Sequence, residues 1–357
     1  MKLPSDTTGT GANRNHLLYT IFKIAGLIAG IALLYWFVSR SNLAGIWDQL
    51  RLINVKFIFL IVATFAGYLM VTIAWRLSFY SYPGHLSMSR LFIIRQIGES
   101  LAQINPTNVI AGEALKALLL KRQKVPYKDS IVSFTISRFL LFFSAVTLIM
   151  IGIYIFFDRL KPSVDPSYLM AAMVVIFMLF ALFIYRLRSG RGVLAAPAAL
   201  LARLARRFPH STFLRNAIGK MLEIDAELVD FYKRKKINFI VAYLLSLSSW
   251  LFGAMEFFLI LNFLGFSVTF LSCVAVEVGV MVFKGVGAFI PGQIGIEEYA
   301  NKIMLEFIHI PGGNVWITVS ILRRARQLVW ICVGFIAFFI VIRTSGELRD
   351  GDSVYNA

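Results

Sequence analysis

Apolar positions in this chain gather into long, almost unbroken runs separated by short polar segments. Six runs reach bilayer length: Leu17 to Val38, Phe57 to Phe79, Val125 to Phe157, Ser167 to Leu187, Ile237 to Phe263 and Asn314 to Ile342. A helix rises about 1.5 Å per residue, so roughly 20 apolar residues cover a hydrocarbon core of about 30 Å. Each run therefore predicts one membrane-spanning helix. The first is too long for a signal-peptide core and continues into Tyr35-Trp36-Phe37-Val38-Ser39-Arg40 without a small-residue cleavage site, so it is expected to stay as a span. Trp36, Trp75, Tyr80 and Tyr82 stand at run ends, where interfacial aromatics are expected.

Two further stretches are apolar but interrupted. Residues 86–122 carry Asn105-Pro106-Thr107-Asn108 in their middle, and residues 268–308 carry Pro291-Gly292-Gln293-Ile294-Gly295. Proline removes a backbone donor and glycine permits bends, so each stretch predicts two helical pieces around an irregular turn. Such a turn is tolerated at membrane depth only where protein buries it or it lines a wet cavity. The expected fold class is all-α: a polytopic membrane protein with about six full spans and two re-entrant or broken helix pairs.

Composition agrees. Of 357 residues, 58% are hydrophobic and 15% charged, and the mean hydropathy is +0.74. Soluble domains carry about a quarter charged residues, so a soluble enzyme and a disordered chain are both excluded. The net charge of +17 would suggest nucleic acid in a soluble protein. In a membrane protein it reflects basic residues retained on the cytoplasmic side, and no nucleic-acid partner is expected. Twelve of the 36 basic residues lie between Arg186 and Lys236, including Lys233-Arg234-Lys235-Lys236. That segment anchors the topology in the cytoplasm. Counting spans outward places both termini and the loop Lys121 to Lys124 there as well, in a bacterial inner membrane, with 39–56, 158–165 and 265–267 facing outward.

The resulting organisation is a cytoplasmic tail (1–16), a first membrane half (17–187) containing the broken pair 86–122, a basic linker (188–236), a second membrane half (237–342) containing the broken pair 268–308, and a cytoplasmic tail (343–357). Within the linker Phe213, Ala217, Met221, Ile224, Leu228 and Phe231 recur at helical spacing, preceded by a second amphipathic segment from Leu194 to Arg207. The pair is expected to lie on the inner leaflet, with partner docking as the other use of such a surface.

Sliding the chain by 185 residues aligns Pro106 with Pro291, Glu113 with Glu298, Pro126 with Pro311, Ile136 with Ile321 and Arg138 with Arg323. An odd number of spans separates the two copies, so the repeat is expected to be inverted, as in many secondary transporters whose site opens to either side. Charges cluster in these copies: Glu99, Glu113, Lys116, Arg138, Glu277, Lys284, Glu298, Arg323, Arg324 and Arg326 all fall in or beside membrane segments. Each costs roughly 2.5–3.5 kcal/mol at the centre of a span on insertion scales, so such groups face a cavity or pair with one another. Glu113 and Lys116 share a helix face, as do Glu298 and Lys302. Glu113 and Glu298 are expected in the first turns of their short helices. One reading makes these carboxylates helix caps with Arg138 and Arg323 as counter-ions. The other makes Glu99, Glu113, Lys116, Arg138, Lys284, Glu298 and Arg323, with the turns at Asn105, Pro106, Pro291, Gly292 and Gly295, a binding site for a phosphate head group.

Motifs for ATP binding, zinc proteolysis or magnesium-diphosphate chemistry are absent. His16, His85, His210 and His309 are scattered, and Cys273 and Cys332 lie inside apolar runs, so no catalytic residue, cofactor or metal is expected.

Asn105-Pro106, Gly112-Glu113-x-x-Lys116 and Pro291-Gly292-Gln293-Ile294-Gly295-Ile296-Glu297-Glu298 resemble the paired motifs of the lysylphosphatidylglycerol synthase transmembrane region, also called the flippase-like domain family. The resemblance extends from about Leu17 to Ile342. It implies movement of a polar lipid between leaflets: a phospholipid, a hopanoid-related lipid or a polyprenyl-linked one. Members of the synthase type carry a soluble aminoacyl transferase after the membrane region. This chain ends at Ala357, soon after its last span, so lipid aminoacylation is not expected of it. The family usually has glycine where this chain has Gln293, and often arginine where it has Glu297, which leaves head-group preference open. The competing expectation is a non-transporting scaffold or subunit for a glycosyltransferase or lipid-synthesis enzyme, docked through the basic linker. A membrane-embedded transferase is a third option, without a visible nucleophile.

Overall fold

The computed structural model describes residues 51, 53–104, 109–156, 165–205, 212–286, 293, 295–310 and 315–354. Among them eleven α-helices form and no strand does. They are α1 (Phe57–Leu77), α2 (Met88–Ile104), α3 (Val109–Arg122), α4 (Tyr127–Ile155), α5 (Pro166–Ser189), α6 (Ala195–Ala205), α7 (Thr212–Arg234), α8 (Lys236–Phe263), α9 (Phe270–Val286), α10 (Ile296–Phe307) and α11 (Val315–Val354). The chain is an all-α membrane protein. Among the described residues, four helical segments are long and apolar enough to cross a bilayer: Asn54–Leu77, Tyr127–Ile155, Lys236–Phe263 and Val315–Val341. The run expected over Ser167 to Leu187 is the 24-residue helix α5, whose Asp165 accepts from the Ser167 amide at 2.8 Å and whose end is closed by Gly190 in the left-handed region. The expected first span, Leu17 to Val38, and Trp36 lie outside the described residues. Helix α11 continues past Ile342 to Val354, so the boundary drawn there is no break in the helix.

Each interrupted stretch resolves into two helices, α2 with α3 and α9 with α10, and the members of each pair pack on one another. Close approach of α2 to α3 depends on two glycines. A Cβ on Gly112 would stand 2.5 Å from the Gly98 carbonyl oxygen, and one on Gly98 would stand 2.9 Å from the Gly112 carbonyl oxygen. Small residues at such crossings let backbones meet, which supplies packing that apolar side chains in lipid cannot.

Contacts between helices repeat with the 185-residue offset. Helices α1 to α4 correspond in order to α8 to α11. The largest interface is between α1 and its counterpart α8, α2 packs on α11, and α9 packs on α4. Several helix contacts thus have a counterpart in the other half, although the packing of α4 on α8 has none of similar extent between α11 and α1. One apolar core joins α1 and α8 to α9, α10 and α11 around Leu60, Phe257, Val280 and Leu322. A second, around Leu91, Ile97, Leu120 and Phe134, joins α1 to α2, α3 and α4.

Trp75 is not an interfacial aromatic. It is buried, with its indole N–H donating to Ser133 Oγ at 3.1 Å, because a buried indole nitrogen needs an acceptor and α4 supplies one. Nor does the linker simply rest on lipid. Leu228 and Phe231 of α7 are fully buried against the ends of α1, α4, α5 and α8. Polar pins reinforce this: Tyr80 Oη donates to Asp230 Oδ2 and to the Glu227 carbonyl, both at 3.0 Å, and Lys128 lies 3.0 Å from the Glu227 carboxylate. Burial, with the Asp230 carboxylate adding to it, raises the Tyr80 phenol above its ordinary range. Buried Asp225 accepts from the amides of Val193 and Leu194 at 2.5 and 2.9 Å, capping the entry to α6.

Two outcomes test this architecture. Gly112→Ala should lower thermal stability by about 1–3 kcal/mol, the usual cost of forcing an added methyl group into close-packed surroundings, read as a shift in the unfolding midpoint. Single cysteines at positions 165 and 203 should react with an impermeant thiol reagent from opposite sides of the membrane. Labelling from the same side would contradict the expected topology.

A candidate lipid site and its sealed counterpart

Spacing alone brings the first cluster's groups into pairs: Arg95 and Glu99 are four apart on α2, and Glu113 and Lys116 three apart on α3. The glycine crossing then carries α3 against α2, so that Lys116 Nζ meets Glu99 Oε1 at 2.7 Å and Glu113 Oε1 at 3.0 Å. Arg138 reaches in from α4. Its Nε donates to Glu113 Oε1 at 2.8 Å and its Nη2 pairs with both Glu99 and Glu113. The Lys116 ammonium also lies within 6 Å of the Trp75 and Phe134 ring centroids, at 5.8 and 5.9 Å, where ring quadrupoles favour a cation.

This cluster is open on one side. The Arg138 side chain is 40% exposed, although it sits well inside a spanning helix. A small cavity of about 20 Å³ lies among Arg95, Glu99, Glu113, Lys116 and Arg138. A groove of about 520 Å³ runs between α3 and α4 and shares Glu113, Phe134 and Arg138 with that cavity. Its remaining walls are almost wholly apolar, and Tyr127, Ile131 and Phe142 on its α4 side are exposed. A polar recess and an apolar channel thus meet at one guanidinium.

The second cluster is built from α8 (Glu256), α9 (Glu277, Lys284), α10 (Glu297, Glu298) and α11 (Arg323, Arg324, Arg326). Arg323, only 5% exposed, lies 3.1 Å from Glu277, 3.2 Å from Glu297 and 3.7 Å from Glu256, with its guanidinium 4.2 Å from the Phe257 ring centroid. Arg326 pairs with Glu256 at 2.7 Å and Arg324 with Glu298 at 3.0 Å. Lys284 stands 3.6 Å from Glu297. Three carboxylates around one buried guanidinium form a packed ionic knot.

The expected site residues therefore fall into two sets. Glu99, Glu113, Lys116 and Arg138 meet in the first half; Lys284, Glu298 and Arg323 join the second. The offset holds for helices but not for every charge. Glu298, the counterpart of Glu113, bonds Arg324 rather than Arg323. Lys284 stands where Glu99 stands in the first half, and buried Asn301, donating to Ser320 Oγ at 2.8 Å, stands where Lys116 does. Lys302, expected to share a helix face with Glu298, is exposed, and Glu298 pairs with Arg324. The capping role fits Glu298, which accepts from the Gly295 amide at 2.7 Å, Gly295 taking the left-handed φ of 87°. Glu113 is not in the first turn. Helix α3 begins at Val109, which puts Glu113 in the second turn, committed to Lys116 and Arg138. Asn105, Pro106, Pro291 and Gly292 lie outside the described residues. Gln293 donates to the Lys284 carbonyl at 3.3 Å.

Sequence reasoning missed Arg95, Glu256 and the central part of Glu297. Arg95 and Glu256 carried a signal, being lone charges inside apolar runs. Tyr68 of α1 stands between the clusters: the Arg95 guanidinium lies 4.9 Å from its ring centroid and Arg326 donates to its hydroxyl at 3.3 Å. Among the described residues, no group of three or more His, Cys, Asp and Glu side chains is placed to hold a metal ion.

The two arginines should respond differently to loss of charge. Arg323→Gln strands buried carboxylates and should cost about 3–5 kcal/mol of stability, as breaking a buried ion pair does. Arg138→Gln, at a half-exposed position with Lys116 still beside both carboxylates, should cost less than about 1 kcal/mol. Thermal unfolding of the two variants in detergent would show the difference, and equal midpoints would contradict it.

No curated protein and no solved structure matches the chain. Residues 23–335 match the model of one family, described as the lysylphosphatidylglycerol synthase TM region, a span that includes every residue of both clusters. The chain belongs to the lysylphosphatidylglycerol synthase transmembrane-region family.

Proposed function

We propose that this protein moves a polar or phosphate-bearing lipid between the leaflets of a cell membrane. Family membership supports a lipid-related role in the membrane. The observation that carries the finer reading is Arg138, a half-exposed guanidinium at membrane depth where the recess of paired charges meets the apolar groove. A cation there is costly unless it faces something polar, and a lipid head group is the polar species that a groove open to lipid can deliver. Acyl chains stay on the apolar wall while the head group meets the charges. In this reading the two halves are inverted copies of one another, and their twofold-related packing supplies the two arrangements that alternating access requires. The bacterial inner membrane, with both termini in the cytoplasm, is the setting the basic linker favours.

The test is translocation in proteoliposomes. Fluorescent phospholipid analogues in vesicles holding the wild-type chain should cross at a measurable rate, and Arg138→Gln, purified with an unchanged unfolding midpoint, should slow crossing at least about tenfold. That corresponds to about 1.4 kcal/mol in the barrier. Unchanged crossing in the folded variant would remove the pathway and favour the scaffold reading.

A further inference from the structure

The two linker helices differ in what covers their apolar faces. Helix α7 has committed its own, with Leu228 and Phe231 buried against α4, α5 and α8. Helix α6 packs on α7 and buries Ala198, yet Ala196, Ala199, Leu200 and Arg203 are exposed, Leu200 at 60%. Their spacing puts those four on one helix face. The depth of that face follows from α5. Its 24 residues rise about 36 Å, more than a hydrocarbon core of about 30 Å, and no charge occurs from Pro166 to Tyr185. Charges begin at Arg186 and Arg188, and residues 190–194 then turn into α6. The turn is fixed by Gly192, with a φ of 74°, and by Asp225 of α7, which accepts from the Val193 and Leu194 amides. Helix α6 thus starts where hydrocarbon ends, at head-group depth.

Charge divides the linker in the same way. From Arg186 to Leu222 the sequence holds eight basic residues and no acidic one. Acidic residues begin at Glu223, and two of them, Glu227 and Asp230, meet Lys128 and Tyr80 of the bundle. One limb is therefore basic with an open apolar face, and the other is acidic and pinned. Exposed Arg188, Arg191 and Arg203 flank the open face of the first limb. Apolar side chains beside cations fit an anionic bilayer surface, where the acyl boundary takes the one and phosphates take the other. A nucleic acid would answer the arginines and offer Leu200 nothing.

We propose that α6 is a surface anchor that seats in the head-group layer of an anionic leaflet and braces α4 through α7. Leu200 reaches the acyl boundary, and Arg188, Arg191 and Arg203 meet lipid phosphates. Each arginine near such a surface strengthens the seat about fivefold. The brace runs through α7: Asp225 holds the entry to α6, and one turn later Leu228 is buried in the cluster that includes Val132 and Ile136 of α4. Glu227 pairs with Lys128, in the first turn of α4 and next to groove-lining Tyr127. The anionic content of that leaflet then sets how firmly the start of α4 is held. The anchor lies outside both charge clusters and does not depend on what the groove carries.

Amide hydrogen exchange of the full chain in nanodiscs tests this without measuring transport. Two bilayers are compared, phosphatidylcholine alone and an equal mixture with phosphatidylserine. Amides of α6 should exchange at least about fivefold more slowly in the mixture, and those of the first turns of α4 should slow with them, while α9 stays unchanged. The double variant Arg191→Gln, Arg203→Gln alters only exposed side chains, so it should keep the unfolding midpoint and lose the difference between bilayers. Glu227→Gln removes the counter-charge of Lys128. It should keep the slowing of α6 and lose that of α4. Fast exchange of α6 in both bilayers leaves its face in water and overturns the anchor. Slow exchange in both, unaltered in the double variant, overturns the anionic surface in favour of a protein occupant. Slowing of α6 without α4 in the wild type overturns the brace.

Discussion

An ionised side chain inside a bilayer-spanning bundle must find its counter-charge within the protein, because lipid offers none. That requirement shapes this molecule more than apolar packing does. Leucine against leucine in a membrane gains little over leucine against an acyl chain, so helices meet for reasons of shape and polarity. Here the shape is the glycine crossing of α2 and α3, and the polarity is the pair of ionic clusters. Each cluster draws residues from at least three helices, so no helix can shift far without stranding a charge.

The two clusters meet the same requirement in different ways. Around Arg323 every nearby carboxylate is buried and committed, and α8 contributes Glu256 as an extra partner. Around Arg138 the guanidinium holds its carboxylates while one side stays open to the groove. A buried ion network and a binding site follow from the same ingredients, and accessibility separates them. Tyr68 touches Arg95 on one side and Arg326 on the other, which gives the clusters a shared wall on α1.

The linker extends this constraint to the ends of the spanning helices. Helix α7 buries Leu228 and Phe231 against the helix ends and pins itself to Tyr80 and Lys128. Lys128 and Arg138 lie on the same helix, so the position of α4 that sets the groove is tied to the linker.

Much of this was legible in the chain. Runs of apolar residues determined the helical class and four of the expected spans, because the length of an unbroken apolar stretch is set by bilayer thickness. Uncommon residues in those runs marked the repeat and most of the cluster members, since a charge in an apolar segment needs a reason. Pairing was another matter. Glu113 and Glu298 match in the sequence, yet one binds Arg138 and the other Arg324, because a helix turns about 100° per residue and a one-residue change of partner follows from small differences in how α3 and α10 are seated. Arg95 and Glu256 looked like isolated charges until Tyr68 of α1 stood beside the first and Arg323 and Arg326 of α11 beside the second. The open side of Arg138 and the closed one of Arg323 are properties of what the neighbouring helices cover, and no local pattern carries that information. The sequence by itself determined the membrane class and the presence of charge within the apolar runs; only the tertiary structure decided which charges neutralise one another and which still face a cavity, because Coulomb energy depends on distances between helices far apart along the chain.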